Sequence, residues 1–372
     1  MSAKNKFRQV RQTKIHLPKA YAQSGFSLVE LLVGLVIGLL ATMVIMQVFS
    51  VFEGQKRSTS GSADAQTNGS IALHSIQRDA QMAGFGLPVP MADKENTSLK
   101  CDPAPTFDHD VNPATPDLEL SPVTIVDGIS DTITVRYSNS GMGAVPVKIV
   151  NATNATAATG LSADNNLGCR DDDIVLISNG TSCVMTQVAD ANGDPNTLVN
   201  ISLVAATPAG GPLVAGAKLT CMGNWRNLTY QVVANQLQLN DVPIVSEVVN
   251  LQAQYGISAA ANSSVVTQWV DATGGWAAPS VADRNRIKAI RVAVVARNNL
   301  LEKEVVTDAC SSTTVANPTG LCAWDATSAA PAIASPAPDI DLTGIANWNR
   351  YRYRVYETII PLRNMIWSKD AL

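Results

Sequence analysis

An apolar run near the amino terminus, Phe26–Phe52, constrains this chain more than any other feature of its sequence. About 20 apolar residues in a helix can cross the roughly 30 Å hydrocarbon core of a bilayer. Glu30 is the only charged residue in the run, and the preceding residues 1–25 carry six Lys and Arg residues and no Asp or Glu. Because basic flanks stay in the cytoplasm, this pattern predicts a single membrane helix with the rest of the chain on the other side.

The carboxylate of Glu30 separates the kinds of segment that fit this pattern. A removable secretory signal has an apolar region of about 7–15 residues and a small-residue cleavage site after it. No A-x-A pattern occurs in residues 48–58, where the apolar run ends. A plain signal anchor accounts for the basic flank and the length. It leaves Glu30 unexplained, because a charged group at the centre of a membrane helix costs roughly 2.5–3.5 kcal/mol.

The charge balance limits the partners of the remaining chain. The formal net charge is −4, and without the six leader cations it becomes −10. Such an acidic body disfavours a general nucleic-acid partner. Hydrophobic residues make up 46% of the chain and charged residues 16%, which is enough to form a core and too polar for a protein with many membrane spans.

The six cysteines all follow the apolar run: Cys101, Cys169, Cys183, Cys221, Cys310 and Cys322. On the far side of the membrane, disulfides are the natural interpretation. Closeness in sequence favours Cys310–Cys322 and Cys169–Cys183, which leaves Cys101–Cys221, but about 15 connectivities are open. Zinc is a weak alternative because no C-x-x-C pattern occurs.

Beyond the apolar run the periodicity changes from helix to strand. Ala72, Ile76, Ala80 and Ala83 recur on one helical face, and Gly84, Gly86 and Pro88 then predict a stop. This predicts either one helix from Phe26 to about Ala83, or two helices separated by a polar stretch. Short alternating runs follow from about residue 87, within 127–141, 173–188, 227–245, 286–298 and 350–362, with long loops at 139–168 and 308–345. The predicted class is α+β, a long amino-terminal helix against an antiparallel sheet.

The stretch GFSLVELLVGLVIG, Gly25–Gly38, closely resembles the class III signal of type IV prepilins and of type II secretion pseudopilins. The resemblance implies cleavage by a prepilin peptidase after Gly25, N-methylation of Phe26, and an assembly role for Glu30. Cleavage would create a cationic amine one helical turn from Glu30. The carboxylate would then pair with that amine or, as the resemblance favours, with the amine of the neighbouring subunit.

The carboxyl-terminal segment is similar to that of PilW-type minor pilins, in which a strand precedes a Leu-Arg-Asn motif, here Leu362, Arg363 and Asn364. The segment GISDTITVRYSN, 128–139, resembles the first body strand of the same family. Together these likenesses imply a pilin-like fold. Its parts would be a cleaved leader (1–25), a transmembrane and filament-core helix (26–53), a second helical half (54–86) and a periplasmic β-rich body (87–372).

The function implied is that of a minor pilin of a type IV pilus that helps to prime assembly and contributes to the tip complex. Its partners would be the prepilin peptidase, other minor and major pilins, the inner membrane and a large tip adhesin. Its location would be the inner membrane and then the pilus, with no cofactor and no enzymatic role. Two alternatives stay open: a J-type minor pseudopilin of type II secretion, and a signal-anchored periplasmic adhesin or enzyme that never polymerises.

Candidate sites of other chemistry are weak. None of the motifs H-E-x-x-H, G-x-S-x-G, G-x-G-x-x-G or Walker A occurs, and the histidines are His16, His74 and His109. The stretch Asp190–Ile201 begins like a calcium loop, but its last position is Ile201 instead of Glu and Pro195 replaces the required Gly. Arg350, Arg352 and Arg354 alternate along a predicted strand, which favours a solvated basic face or a docking surface for an acidic partner.

Overall fold

The computed structural model describes a large part of the chain: residue 25 and residues 27–87, 106–107, 109, 112–114, 117–141, 145–150, 161–165, 168–178, 183–190, 199–203, 217–311, 319–324 and 340–367. The chain divides into two compact units, Met1–Arg57 and Ser58–Leu372. The fold is α+β: a long amino-terminal helix followed by antiparallel sheets, as the sequence predicts.

The helices in the described residues are α1 (Leu28–Met82), α2 (Val281–Arg284) and α3 (Arg363–Trp367). The strands are β1 (Thr106–Phe107), β2 (Leu118–Glu119), β3 (Val123–Val126), β4 (Thr132–Ser138), β5 (Val147–Lys148), β6 (Leu161–Ala163), β7 (Ile174–Ser178), β8 (Cys183–Asp190), β9 (Val199–Leu203), β10 (Lys218–Gly223), β11 (Trp225–Val233), β12 (Gln236–Leu239), β13 (Val242–Ser246), β14 (Val248–Ser258), β15 (Val266–Val270), β16 (Ile287–Arg297) and β17 (Tyr353–Pro361). The β-strands form sheets in the orders β1-β2, β5-β10-β7-β8-β9-β6, β13-β12-β11-β4-β3 and β15-β14-β16-β17, and every pairing between them is antiparallel.

The carboxyl-terminal half of α1 supplies one wall of the main core. Ala72, Ile76, Ala80 and Ala83, the face predicted from their spacing, are each fully buried. They share a cluster with Ile133 and Val135 of β4, Tyr230 of β11, Leu251 of β14 and Val292 of β16, among others. Because three of the four helical residues are alanines, the helix backbone lies close to the strands that it covers.

A second, smaller core lies on one side of the six-stranded sheet. Val175 and Ile177 of β7 contribute to it, whereas Ile174 and Leu176 of the same strand belong to the main core. Successive side chains of a strand point to opposite faces, so β7 is buried on both faces and joins the two cores. Burial on both faces explains why β7 is a short run of apolar residues without polar alternation.

Two tight turns connect β11, β12 and β13. Ala234 and Asn235 have φ of 51° and 59°, and Asn240 and Asp241 have φ of 49° and 64°. Two consecutive residues with positive φ are typical of type I′ hairpin turns. The sequence predicts the first turn, whereas the second, carried by Asn240-Asp241, was not identified from it.

Ile129, in the alternating run predicted within 127–141, is not part of a strand. Ile129 is 73% exposed and precedes β4, which begins at Thr132. The main-chain carbonyl of Ile129 instead accepts hydrogen bonds from the side chains of Asn250 and Gln252, at 2.7 Å and 3.0 Å. The segment before β4 is therefore a turn tied to β14, and only Ile133 and Val135 follow the inward alternation.

Gly69 in α1 allows the helix to approach β17 closely. A Cβ atom at this position would overlap the ring of Tyr356, whereas a Cβ at Gly54 of the same helix would meet nothing. We expect Gly69→Ala to lower the free energy of unfolding by about 1–2 kcal/mol through overpacking. The matched Gly54→Ala is expected to raise it by up to about 1 kcal/mol through helix propensity. Urea unfolding of the full chain in detergent measures both, and equal effects of the two variants would contradict the close approach.

Asp131 connects the turn before β4 to β14. Its carboxylate accepts hydrogen bonds from the N–H groups of Ala253 at 2.7 Å and Gly128 at 3.1 Å. Burial raises the pKa of this carboxyl to about 7, and the nearby carboxylates of Asp127 and Asp271 add to the increase. The folded state therefore holds a proton on Asp131 at a pH where the unfolded chain does not.

The raised pKa of Asp131 predicts a pH dependence of stability. A folded-state pKa above the unfolded value gives a contribution that is complete below about pH 4 and is lost as the pH rises through 7. Between pH 8 and pH 6 we expect the free energy of unfolding to increase by about 1.4 kcal/mol from this group. Urea unfolding at the two pH values tests this, and Asp131→Asn is expected to remove the increment. An unchanged increment in that variant would contradict the assignment.

Candidate assembly site

The first turn of α1 is closed by a pair of reciprocal side-chain contacts. The Ser27 N–H donates to Glu30 Oε2 at 3.0 Å, and the Val29 N–H donates to Ser27 Oγ at 3.4 Å. The Leu31 N–H donates to the Ser27 carbonyl at 3.1 Å, as the first main-chain bond of the helix. This is a capping box, in which a Ser and a Glu three residues apart satisfy N–H groups that the helix leaves unpaired. The S-x-x-E spacing of Ser27 and Glu30 is a local signal for this box in the sequence.

The capping box places the carboxylate of Glu30 beside the predicted cleavage site. This carboxylate accepts a hydrogen bond from the N–H of Ser27, which lies two residues after Gly25. Phe26 itself lies outside the described residues. A carboxylate in this position lies next to the segment where cleavage after Gly25 would create a new amine. The predicted roles of Gly25, Phe26 and Glu30 stay predictions.

The amino-terminal half of α1 presents apolar side chains around its whole circumference. Within the unit Met1–Arg57, every large hydrophobic residue of α1 up to Phe52 is exposed, with exposed fractions between 48% and 75%. In the part of the chain that is described, this is the one helix long and apolar enough to cross a membrane. A helix that is apolar on all sides needs lipid or other protein around it.

The other half of α1 is fixed to the body by a buried polar contact. The Tyr230 hydroxyl of β11 donates to Asp79 Oδ2 at 2.6 Å, and Arg78 Nε donates to Asp79 Oδ1 at 2.9 Å. Burial raises the pKa of the Tyr230 phenol, and the hydrogen bond to Asp79 raises it further. The hydrogen bond to Asp79 also raises the pKa of Arg78. The phenol therefore stays protonated and keeps its hydrogen bond to the helix.

The Leu-Arg-Asn motif closes the carboxyl-terminal end of α1. Asn364 Nδ2 donates to the Ala83 carbonyl at 3.0 Å, which would otherwise be one of the unpaired carbonyls at a helix end. Leu362 is fully buried, and its N–H donates to the Lys288 carbonyl at 2.9 Å. Gly84, with φ of +73°, turns the chain away in the left-handed conformation common at this position. The motif thus joins α1 to β16 and β17, a role that the sequence alone did not indicate.

The described disulfides are Cys169–Cys221 and Cys310–Cys322. The second is the pair that closeness in sequence favours, but Cys169–Cys183 and Cys101–Cys221 are wrong. Cys183 lies opposite Ser178 at the loop end of the β7–β8 hairpin, and Cys169 precedes the other end of β7. The strand separates these ends by roughly 13 Å at about 3.3 Å per residue, beyond disulfide reach. Cys101 lies outside the described residues, as does the side chain of Cys183.

Cys221 lies instead in β10, the strand that flanks β7 on its other side. Its Cα is 5.2 Å from that of Cys169, which is a normal disulfide separation. The bridge therefore fixes the turn that leads into β7 to the neighbouring strand. Its geometry follows from strand order, which spacing along the chain does not reveal.

The predicted arginine face is only partly present. Arg350 lies in a 3₁₀ turn, Trp348–Arg350, and Arg352 also precedes β17, which begins at Tyr353, so of the three arginines only Arg354 is part of the strand. Arg350 Nε donates to the Glu302 carbonyl, and Arg352 Nε pairs with Glu302 Oε1, both at 2.8 Å. The placement of Arg350 in the 3₁₀ turn, ahead of the ladder with β16, breaks the alternation.

Most of the weaker candidates lie outside the part of the chain that the structure describes. His16, most of Asp190–Ile201 and the segment around Cys101 lie outside the described residues. Asp173 accepts a hydrogen bond from the Arg170 N–H at 2.8 Å, within a turn that leads into β7. Among the described residues, no three His, Cys, Asp or Glu side chains lie close enough to hold a metal ion.

Comparison with known proteins gives two family matches. Residues 21–46 match the model of the prokaryotic N-terminal methylation motif, which includes Gly25, Phe26 and Glu30. Residues 218–364 match the model of PilW, the type IV pilus-assembly protein W, from the start of β10 to Asn364. The strands β1–β9 lie outside both matches.

Among solved structures, the chain is similar to a type IV-like pilin from Thermus thermophilus, with 9% identity and a TM-score of 0.32 over 81% of this chain and 96% of that one. No curated protein matches the sequence.

Proposed function

We propose that this chain, whose residues 218–364 match the PilW model and 21–46 the methylation motif, is a minor pilin of the PilW family that primes pilus assembly and lies in the tip complex. In this proposal the prepilin peptidase cuts after Gly25 and Phe26 is methylated. The product stays in the inner membrane through the segment 26–53, with its body in the periplasm, until it enters a fibre. Its work is packing between subunits, as is usual for pilins, and we propose no catalytic step.

The observation that carries the proposal is the exposed apolar half of α1 with Glu30 in its first turn. The segment Leu28–Phe52, most of which lies within the methylation-motif match, has no protein cover in its own unit. Lipid would cover this surface before assembly and the helices of other pilins after it. A carboxylate would be costly in either environment unless a cation pairs with it. The amine formed by cleavage is such a cation.

The body would present its surfaces to the other minor pilins, and a large tip adhesin is a further partner in this proposal. Its acidic surface is suited to recognition through charge and shape more than through an apolar patch.

The proposal is tested by deleting the gene and probing sheared surface fibres. We expect the chain in the fibre fraction of the parent strain and at least about tenfold fewer pili in the deletion strain, with protein secretion unchanged. Normal piliation together with lost secretion would favour a type II pseudopilin. Absence of the chain from every fibre fraction would favour an anchored protein that does not polymerise.

A further inference from the structure

A cleft of about 300 Å³ opens beside α1 in the second unit. Ser62 and Ala65 of the helix form one side, and Asn298, Thr307, Arg352 and Arg354 are among the residues that form the rest. None of the residues that line it belongs to the capping box or to the Leu-Arg-Asn motif. Its lining is polar, so it differs from a gap in the apolar core.

Asn298 lies at the wall of this cleft, where its side-chain amide packs against Gly61 of α1. The residue is 1% exposed, and its Oδ1 accepts the Leu300 N–H at 2.9 Å. Its Nδ2 is buried and has no hydrogen-bond partner in the part of the chain that is described. Because Nδ2 is buried against the helix, an acceptor in the cleft cannot reach it, and the donors available there are those of the arginines.

The charged side chains in and beside the cleft have an excess of one positive charge. Arg352 already pairs with Glu302 at 2.8 Å, whereas no carboxylate within the described ranges pairs with Arg354. Two guanidinium groups and one carboxylate have a net charge of +1. A singly charged acceptor neutralises this charge, whereas a doubly charged phosphate would also be repelled by Glu302.

The strand face that carries Arg354 turns towards α1. Tyr356, two residues along β17 and so on the same face, packs against Gly69 of the helix. Arg354 therefore lines a concave site, although its side chain remains solvent-accessible. This placement favours the docking interpretation of the arginines over a flat, solvated basic face.

We propose that this cleft binds the side-chain carboxylate of a Glu or Asp residue on a neighbouring pilin subunit. Arg354 and the remaining N–H groups of Arg352 donate to the two carboxylate oxygens. The identification of the occupant as a pilin rests on the proposed function, whereas the preference of the cleft for a carboxylate does not depend on that function. The acidic composition of the chain, with 31 Asp and Glu residues, provides the matching surface groups if the neighbour is a second copy.

The test is a calorimetric titration of the purified full chain in detergent at low ionic strength. The probe is acetyl-Ala-Glu-Ala-amide, with acetyl-Ala-Gln-Ala-amide and inorganic phosphate as separate arms. We expect saturable binding of the glutamate peptide, at least about tenfold stronger than that of the glutamine peptide. Equal binding of the two peptides, or tighter binding of phosphate, would overturn the proposal.

Three substitutions distinguish binding in the cleft from general electrostatic attraction. Arg354→Ala is expected to weaken binding of the glutamate peptide at least fivefold, whereas Arg226→Ala, at an exposed arginine of β11 outside the cleft lining, leaves it unchanged. Glu302→Gln is expected to strengthen binding at least twofold because Arg352 loses its present partner, a gain that misfolding cannot imitate. An effect of Arg226→Ala equal to that of Arg354→Ala would overturn the proposal. Because no fibre is needed, failure here is distinct from failure of the pilus test.

Discussion

Replacing Glu30 with glutamine is expected to leave the chain processed and membrane-anchored while its amount in sheared pili falls at least tenfold. Glutamine keeps the capping box, because its side-chain oxygen also accepts the N–H of Ser27. The variant therefore removes the charge and little else. In an apolar fibre core, loss of one partner from a buried ion pair costs about 3–5 kcal/mol, because the cation left behind is unpaired. Immunoblots of membrane and fibre fractions, normalised to each other, measure the change.

Ser27→Ala is the matched control for Glu30→Gln. It removes the hydroxyl that accepts the Val29 N–H at 3.4 Å, yet it keeps the carboxylate. Loss of an N-cap costs about 0.5–2 kcal/mol of helix stability. If Ser27→Ala reduced incorporation as strongly as Glu30→Gln, the importance of Glu30 would lie in capping, and the pairing argument would fail. Normal incorporation of Glu30→Gln would contradict it as well.

Removal of the Cys169–Cys221 bridge is expected to lower the free energy of unfolding more than removal of Cys310–Cys322. The first closes 52 residues and the second 12. In the chain-entropy model these loops correspond to about 4 and about 3 kcal/mol. We expect the pair of Cys169→Ser and Cys221→Ser to unfold at clearly lower urea concentration than the pair of Cys310→Ser and Cys322→Ser, with the full chain in detergent. Double substitutions avoid an unpaired thiol that would form wrong disulfides.

The effect of the smaller loop can also be measured by tryptophan fluorescence. Cys322 is two residues from Trp324, whose ring lies 4.2 Å from the guanidinium of the buried Arg291. Burial lowers the pKa of Arg291 to about 9, so this arginine depends on contacts that offset its desolvation. Loss of Cys310–Cys322 is therefore expected to change Trp fluorescence. A larger stability loss from the smaller loop would contradict the entropy argument.

The helix and the inward face of its second half could be predicted from the sequence because their signals are local. Periodicity places Ala72, Ile76 and Ala80 on one face, and burial confirms it. The hairpin at Ala234-Asn235 is predictable for the same reason, since a turn and its two strands are contiguous in the chain. Strand order depends on contacts between distant parts of the chain. The partner of Cys169 was predicted wrongly for this reason, because Cys221 lies in β10, which pairs with β7 although the two strands are far apart in the sequence.

Parts of the assembly site were also beyond sequence reasoning. The role of Asn364 depends on the helix end that it contacts, 281 residues earlier in the chain. The cleft at Arg354 requires α1, β17 and the segment around Asn298 to meet, which no single motif encodes. In contrast, the capping box of Ser27 and Glu30 is local and could have been identified. Its detection would have shown that Glu30 has a partner within its own chain before assembly.

We propose that cleavage creates the cation with which Glu30 pairs. The identity of the amino terminus of the mature chain is therefore the feature to measure. The measurement is mass spectrometry of the chain purified from membranes and from sheared fibres. The account predicts a first residue of N-methylated Phe26, with residues 1–25 absent. An intact Met1, or a cut after about residue 50, would contradict it, because neither places an amine one helical turn from Glu30.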